Sequence, residues 1–439
     1  MKLISKFKGI ALSMFKVAWP SLCLTLIQGF VSAAEISFAS VLGKNILAGV
    51  GVVYPFFLLM QTISIGGFGG TVTAAVAKSV ASKNQDLLTK TVISSLLISL
   101  FIGAICSIFF ILFGEYFLLK IITNVEIVSL ALVYGRWLIG FSPAFWLANC
   151  LISILRGFGL VRQTLIIAII AYISQLLIVS ILISTETITS IVVLPVLSII
   201  TVLAMTIVML IFLSKLLAFK ALTVTFSSIK PILLTFIYVG IYASASSLVN
   251  GLCSSLLSSF AAKINPEVLA AYSVVLRIEV ILMLLISGIG VSIVTGTASA
   301  LGRKDLNTAW DVSLVGILVA TVVIGILGFI VSSKSLQIFQ IISLPNDVFK
   351  FSQKYLSIVS WSYPFMAIGF SSLFVGQGFG RPKLFFYGTL FRLGLIAIFG
   401  LLIIDIQSLA FLVATSYMAL GVLTIIILRF EFRQTTGAT

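Results

Sequence analysis

Apolar residues run through this chain in long blocks, separated by short stretches in which lysine, arginine, serine and asparagine collect. Each block is about 20 residues or longer, enough for a helix to cross the roughly 30 Å hydrocarbon layer of a bilayer. No stretch alternates apolar and polar residues with period two, so the pattern is not that of a porin-type barrel. The helix is then the structure that satisfies its own backbone in lipid. The pattern predicts spans near 15–41, 49–75, 91–114, 127–153, 164–184 and 188–213, and six more near 231–261, 269–299, 309–332, 354–376, 384–404 and 408–428. The expected fold is an all-α integral membrane protein of twelve transmembrane helices.

The second set of spans echoes the first. Pro143 aligns with Pro364, and Gly157-Phe158-Gly159 with Gly378-Phe379-Gly380, at an offset of 221 residues. Earlier in each half, Leu47-Ala48 matches Leu269-Ala270 and Gly66 matches Gly288 at an offset of 222, each followed by a basic loop holding Lys83 or Lys304. Two pseudo-symmetric six-helix lobes are expected, 1–215 and 231–439, joined by a lysine- and serine/threonine-containing linker at 216–230. Membrane transporters repeatedly use paired halves, because two bundles that rock against each other expose a central site to one side and then the other.

Composition narrows the class further. Hydrophobic residues make up 60% of the chain and charged residues 9%, with a mean hydropathy of +1.27, whereas soluble domains are about a quarter charged. The net charge of +15 does not indicate nucleic acid, since the basic residues lie scattered over short connections. With a cytoplasmic amino terminus, most of the 27 basic residues fall on the cytoplasmic side, among them Lys78, Lys83, Arg156, Arg162, Arg303, Lys304, Arg381 and Lys383. The positive-inside rule therefore predicts a multi-pass protein of the cell inner (plasma) membrane with both termini cytoplasmic. Cys23, Cys106, Cys150 and Cys253 all sit in apolar spans without CxxC spacing and read as packing residues.

The chain contains no histidine, which removes the commonest general base and metal ligand, and it has no Gly-x-x-x-x-Gly-Lys-Ser/Thr phosphate cradle. An enzyme is not expected, nor a cofactor beyond a coupling ion, H+ or Na+. The cluster Gly66-Gly67-Phe68-Gly69-Gly70 lies within a span and predicts close helix packing or a kink.

Two acids stand out because a carboxylate at bilayer depth is costly unless paired, protonated or wetted, and so marks an ion or substrate path. Glu35 lies in the first span with no basic residue within a turn, and Gln28 is two turns earlier on the same face. The alternative for Glu35 is snorkelling to the interface. Glu279 lies about ten residues into the eighth span; the alternative there is an ion pair with Arg277 or Arg392 that fixes helix register. Aromatics beside the repeat prolines, Phe141, Phe145 and Trp146 in one half and Trp361, Tyr363 and Phe365 in the other, are candidates for a cavity wall. Gln28, Tyr54, Asn149, Phe141, Arg277, Trp361 and Tyr363 make up the candidate cavity set, and Glu35 and Glu279 the candidate ion-coupling pair.

Several segments carry a family resemblance: Ala18-Trp19-Pro20 with an acid fifteen residues beyond the proline; Leu269-Ala270-Ala271-Tyr272 followed by Arg277-Ile278-Glu279; Gly288-Ile289-Gly290 leading to Leu301-Gly302-Arg303-Lys304-Asp305; and Leu155-Arg156-Gly157-Phe158-Gly159 with its partner Gln377-Gly378-Phe379-Gly380. Over nearly its whole length the chain resembles the multidrug and toxic compound extrusion family, whose architecture is twelve helices in two six-helix lobes. The resemblance implies that Glu35 takes the place of the family's first-helix ion-coupling acid and that Gln28 matches a glutamine lining the same lobe. It also implies that Glu279 corresponds to an eighth-helix acid of the bacterial DNA-damage-inducible-like branch. The fifth span departs from the pattern: Ser174-Gln175-Leu176-Leu177-Ile178-Val179 stands where many relatives carry an asparagine and a nearby aspartate.

The function this implies is a secondary active antiporter. It would export amphipathic, often cationic, small molecules in exchange for H+ or Na+ by alternating access, working in the lipid bilayer as a monomer. The rival reading is a flippase of the same superfamily that moves a lipid-linked oligosaccharide or similar amphiphile, which Arg136, Arg277 and Arg392 keep open.

Overall fold

A computed structural model describes residues 2–122, 124–185, 190–217, 225–341 and 345–436. Every long element among them is a helix, here α1 (Lys2–Leu42), α2 (Lys44–Ala81), α3 (Gln85–Ile121), α4 (Val125–Leu138 and Ser142–Gly157), α5 (Val161–Ser184), α6 (Val193–Leu216), α7 (Phe226–Ile264), α8 (Pro266–Gly302), α9 (Leu306–Ser333), α10 (Asn346–Phe379), α11 (Lys383–Leu402) and α12 (Ile406–Thr436). Among the described residues, 11 helices are long and apolar enough to cross a membrane, and the two pieces of α4, bent by 45°, supply a twelfth span. These coincide with the twelve apolar blocks but extend past them, because capped polar turns lengthen the helices. Asn84, Asn265 and Asp305 each accept a hydrogen bond from a backbone N–H in the first turn of the helix they precede, from Leu87 (3.0 Å), Val268 (2.7 Å) and Thr308 (3.0 Å).

The chain packs as two compact units. One contains α1 up to Leu22 and the chain from Ile241 onward; the other contains Cys23–Gly240. By packing, α1 and α7 thus each contribute to both units. Of the expected linker, residues 218–224 lie outside the described residues, while Phe226–Lys230 already form the first turns of α7.

The internal repeat extends to backbone conformation. Gly159 and Gly380 both take positive φ, +80° and +69°, ending α4 and α10 in the left-handed geometry that glycine adopts without steric cost. Lys83 and Lys304 share φ near 56° and 61°, each one residue before a capping Asn84 or Asp305. Gly157 and Gly378 face equivalent neighbours: a Cβ on Gly157 would lie 2.7 Å from Val76 Cβ and 3.0 Å from Thr73 O, and one on Gly378 3.0 Å from Thr297 Cβ and 3.4 Å from Val294 O. Subtracting 221 from 294 and 297 gives 73 and 76, so the same register positions meet in both units.

Where the chain breaks, the cause is local. Ile63–Phe68 in α2 is a π-helical stretch containing Gly66 and Gly67 of the glycine cluster, and Gly69 at its end lies so close that a Cβ there would be 2.7 Å from Ser153 Oγ. The cluster thus provides both a wide turn and close packing. In α4 the break precedes Pro143, and in α10 a 3-10 turn at Ser360–Ser362 precedes Pro364; proline at the start of a helix segment removes an N–H that has no intrahelical partner there. Large apolar side chains cover the outside, Phe101, Phe329 and Ile398 among them, a surface compatible with lipid and not with water.

Candidate functional site

In the unit of Cys23–Gly240, the polar stripe of α1 meets a matching stripe on α5. Gln28 Nε2 donates to Tyr172 Oη at 3.4 Å, and Gln175 Nε2 donates to Glu35 Oε1 at 3.0 Å. Tyr172 and Gln175 share a helical face, as residues three apart do, which fits two α1 residues seven apart. Gln175 Nε2 also donates to Ser198 Oγ of α6 at 2.9 Å, and the Ser198 hydroxyl donates to Glu35 Oε1. Glu35, Gln175 and Ser198 therefore form a closed triangle drawn from three helices. No ion pair reaches Glu35 among the described residues, and Tyr134, fully buried on α4, lies within electrostatic reach of both Glu35 and Tyr54.

Asn149, buried on α4, donates to Gln61 Oε1 at 2.6 Å and Ser64 Oγ at 3.2 Å on α2. Of the expected cavity residues, Gln28 and Tyr54 are partly buried in this unit. Phe141 is 41% exposed and stacks on Trp137 with centroids 5.8 Å apart, so its ring rests on its own span.

The other unit buries Glu279 of α8. Tyr417 Oη of α12 donates to its Oε2 at 3.0 Å, and Tyr363 Oη of α10 reaches Oε1 at 3.5 Å. Tyr272, Tyr355, Tyr363 and Tyr417 are all within its electrostatic reach. Arg392 of α11 is as deeply buried, but forms no ion pair with Glu279. Its Nη1 donates to Asn250 Oδ1 at 3.1 Å and its Nε to Ser416 Oγ at 3.3 Å, while its guanidinium lies 4.4 Å from the centre of the Tyr417 ring. A contact ion pair of Glu279 with Arg277 or Arg392 is therefore corrected: Arg277 lies two residues from Glu279, which turns it to another face where it is exposed, and Arg392 attracts the acid without touching it, sharing Tyr417 with it. Tyr363 is drawn into this cluster, whereas Trp361 is 79% exposed on the 3-10 turn of α10.

The residues missed by sequence reasoning are the neutral partners: Gln175, Ser198 and Tyr172 around Glu35, and Tyr417, Asn250 and Ser416 in the second cluster. The face-sharing of Tyr172 and Gln175 was a usable signal. Nothing local marks Ser198 or Ser416 among the many serines of the spans, since a single hydroxyl on an apolar helix can bond its own backbone.

Duplicated, membrane-spanning helical units, each holding a buried acid among neutral hydrogen-bond donors, define a multi-pass membrane transporter of the two-lobed kind. The chain belongs to the MatE family, whose model matches residues 20–181 and 243–402, once in each half. It is 22% identical over 348 residues to the Bacillus subtilis (strain 168) protein named "Probable multidrug resistance protein YoeA", covering 73% of this chain and 71% of that one. Its fold matches a MATE crystal structure in the bent conformation with a TM-score of 0.88 at 17% identity, covering 97% of both chains. A second match is the outward-facing conformation of a multidrug resistance MATE family transporter of the MOP superfamily, with a TM-score of 0.86 at 17% identity, covering 97% of this chain and 96% of that one. A third is a MOP superfamily transporter from Pyrococcus furiosus Vc1, with a TM-score of 0.84 at 18% identity and 95% coverage of both.

Proposed function

We propose that this protein is a secondary active antiporter, not an enzyme, that exports amphipathic and cationic small molecules from the cytoplasm in exchange for a coupling ion. It works as a monomer in the plasma membrane with both termini cytoplasmic. The observation that carries the reading is the Glu35–Gln175–Ser198 triangle. A carboxylate at bilayer depth held by neutral donors and no cation invites a positive charge. In the outward-open state the ion binds at Glu35, and substrate leaves; in the inward-open state the ion departs and substrate is taken up, each ligand shifting the population by its different affinity for the two states. Protons are favoured over sodium, because Gln175 turns its amide N–H toward the carboxylate and, among the described residues, no group of several carboxylates gathers around it. The aromatic residues and the span-embedded acids Glu35 and Glu279 suit lipophilic cations, through burial and cation–π contact.

The test is transport of ethidium in proteoliposomes under an imposed proton gradient and then a sodium gradient. Wild type is expected to move the dye only with a gradient, and Glu35→Gln to lose that dependence. Dye movement indifferent to both gradients, or a fully active Glu35→Gln, would overturn the antiport reading.

A further inference from the structure

Two neighbouring helices of the Cys23–Gly240 unit are interrupted, α2 by its π-helical stretch Ile63–Phe68 and α4 by its 45° bend, and their halves pair off. Take as near halves those leading to the basic loops, Gly69–Ala81 of α2 and Ser142–Gly157 of α4, and as far halves Lys44–Thr62 and Val125–Leu138. The far halves are fastened to each other. Asn45 Nδ2 donates to Glu126 Oε1 at 2.9 Å, and α2 approaches α4 so closely at Gly49 that a Cβ there would lie 3.2 Å from Ala131 N. The near halves are fastened too: Thr73 Oγ1 donates to Ser153 O at 3.0 Å, beside the close approaches of Gly69 to Ser153 and of Gly157 to Val76.

Across the breaks run one ring contact, Phe57 with Phe145 at 5.1 Å, and the polar clamp of Asn149 on Gln61 and Ser64. Gln61 is in the last turn of the far half of α2, and Ser64 is in the π-stretch itself. π-stretches inside α-helices recur at functional sites, and Asn149 divides its amide donors between the last turn before this one and the π-stretch itself.

The clamp belongs to this unit alone. At the repeat offsets of 222 and 221, Gln61, Ser64 and Asn149 correspond to Met283, Ile286 and Phe370, and α8 runs unbroken from Pro266 to Gly302. The far halves carry Tyr54 and Tyr134, and Tyr134 is within electrostatic reach of Glu35 and of Tyr54. Glu35, Gln175 and Ser198 sit on α1, α5 and α6, outside the two broken helices.

We propose that Asn149 is a positioning residue: it clamps the aligned breaks of α2 and α4, about which their far halves tilt as one piece, so that Tyr54 and Tyr134 move against Glu35 and set the coupling ion's access to it. The inference rests on Glu35 being the coupling group, and its test separates the two.

In protein freed of its four native cysteines, spin labels at Val125→Cys and Ile181→Cys report the far half of α4 against α5; labels at Lys78→Cys and Arg162→Cys report the near ends. Asn149→Leu is expected to shift and broaden the first distance and leave the second unchanged. The same change lowers the apparent affinity for the coupling ion about tenfold, as loss of two buried hydrogen bonds implies. Gln61→Leu, which removes one acceptor, gives a smaller shift in the same direction and serves if Asn149→Leu does not fold. An unmoved far-half distance in both variants overturns the hinge, and a shift with unaltered ion affinity overturns its link to Glu35. The reading of Glu35 itself fails separately, if Glu35→Gln still couples ethidium to the gradient while the Asn149→Leu distance shift remains.

Discussion

A buried arginine that never touches the nearby acid is the least expected residue in this protein. Arg392 spends its hydrogen bonds on Asn250 and Ser416 and lays its plane on Tyr417, whose hydroxyl donates to Glu279. Tyr417 therefore lies between the two charges, the guanidinium against its ring and the carboxylate on its hydroxyl. Losing one charge removes its charge-assisted hydrogen bonds and leaves the opposite charge less compensated, which costs about 3 kcal/mol. Arg392→Leu is expected to lower stability by about that amount, read as a fall in Tm in detergent, and the double change with Glu279→Gln to recover at least half of it. A simple sum of the two losses would mean that the groups are energetically independent. That cluster was half legible beforehand: two charges inside spans, on α8 and α11, demanded partners. The partner that joins them is a tyrosine on α12, which no spacing rule points to, because contacts between distant helices depend on tertiary packing and not on periodicity.

Helices were the most readable scale, since bilayer thickness imposes a length on every apolar block and an apolar surface leaves no other backbone solution. The breaks were harder. Pro143 and Pro364 mark the starts of helix segments, yet Pro20, Pro55 and Pro231 lie inside continuous helices, so proline alone does not locate a break; the glycine run in α2 does. The repeat glycines allow a sharper test. Gly157→Ala forces a Cβ to within 2.7 Å of Val76 Cβ, while Gly378→Ala meets Thr297 Cβ at 3.0 Å. Overpacking of this kind costs about 1–3 kcal/mol, and the first change is expected to be the more damaging. Thermal unfolding of the two variants checks the order; equal small effects would mean that α2 and α8 give way where α4 and α10 approach them. Gly159→Ala and Gly380→Ala, with open space around each, are expected to cost about 1 kcal/mol through the left-handed backbone alone.

For the molecule as a whole, duplication and charge asymmetry were both in plain view, one as a repeated order of prolines, glycines and basic loops, the other as lysines and arginines gathered on alternate loops. They are independent constraints, because the repeat fixes an even number of spans and the charges fix which ends face the cytoplasm. If both hold, alternate loops must differ in accessibility throughout the chain, with equivalent loops of the two halves behaving alike. Single cysteines at Ser82 and Arg303, exposed in the basic loops after α2 and α8, are expected to resist a membrane-impermeant maleimide in intact cells and to react in inverted vesicles. Cysteines at Lys44 and Glu267, exposed at the opposite ends of the same helices, are expected to react in intact cells. Reaction of all four from one side would contradict the spans themselves. A clean reversal of the pattern would keep the fold but turn the protein over in the membrane, and the proposed direction of export would have to be reversed with it.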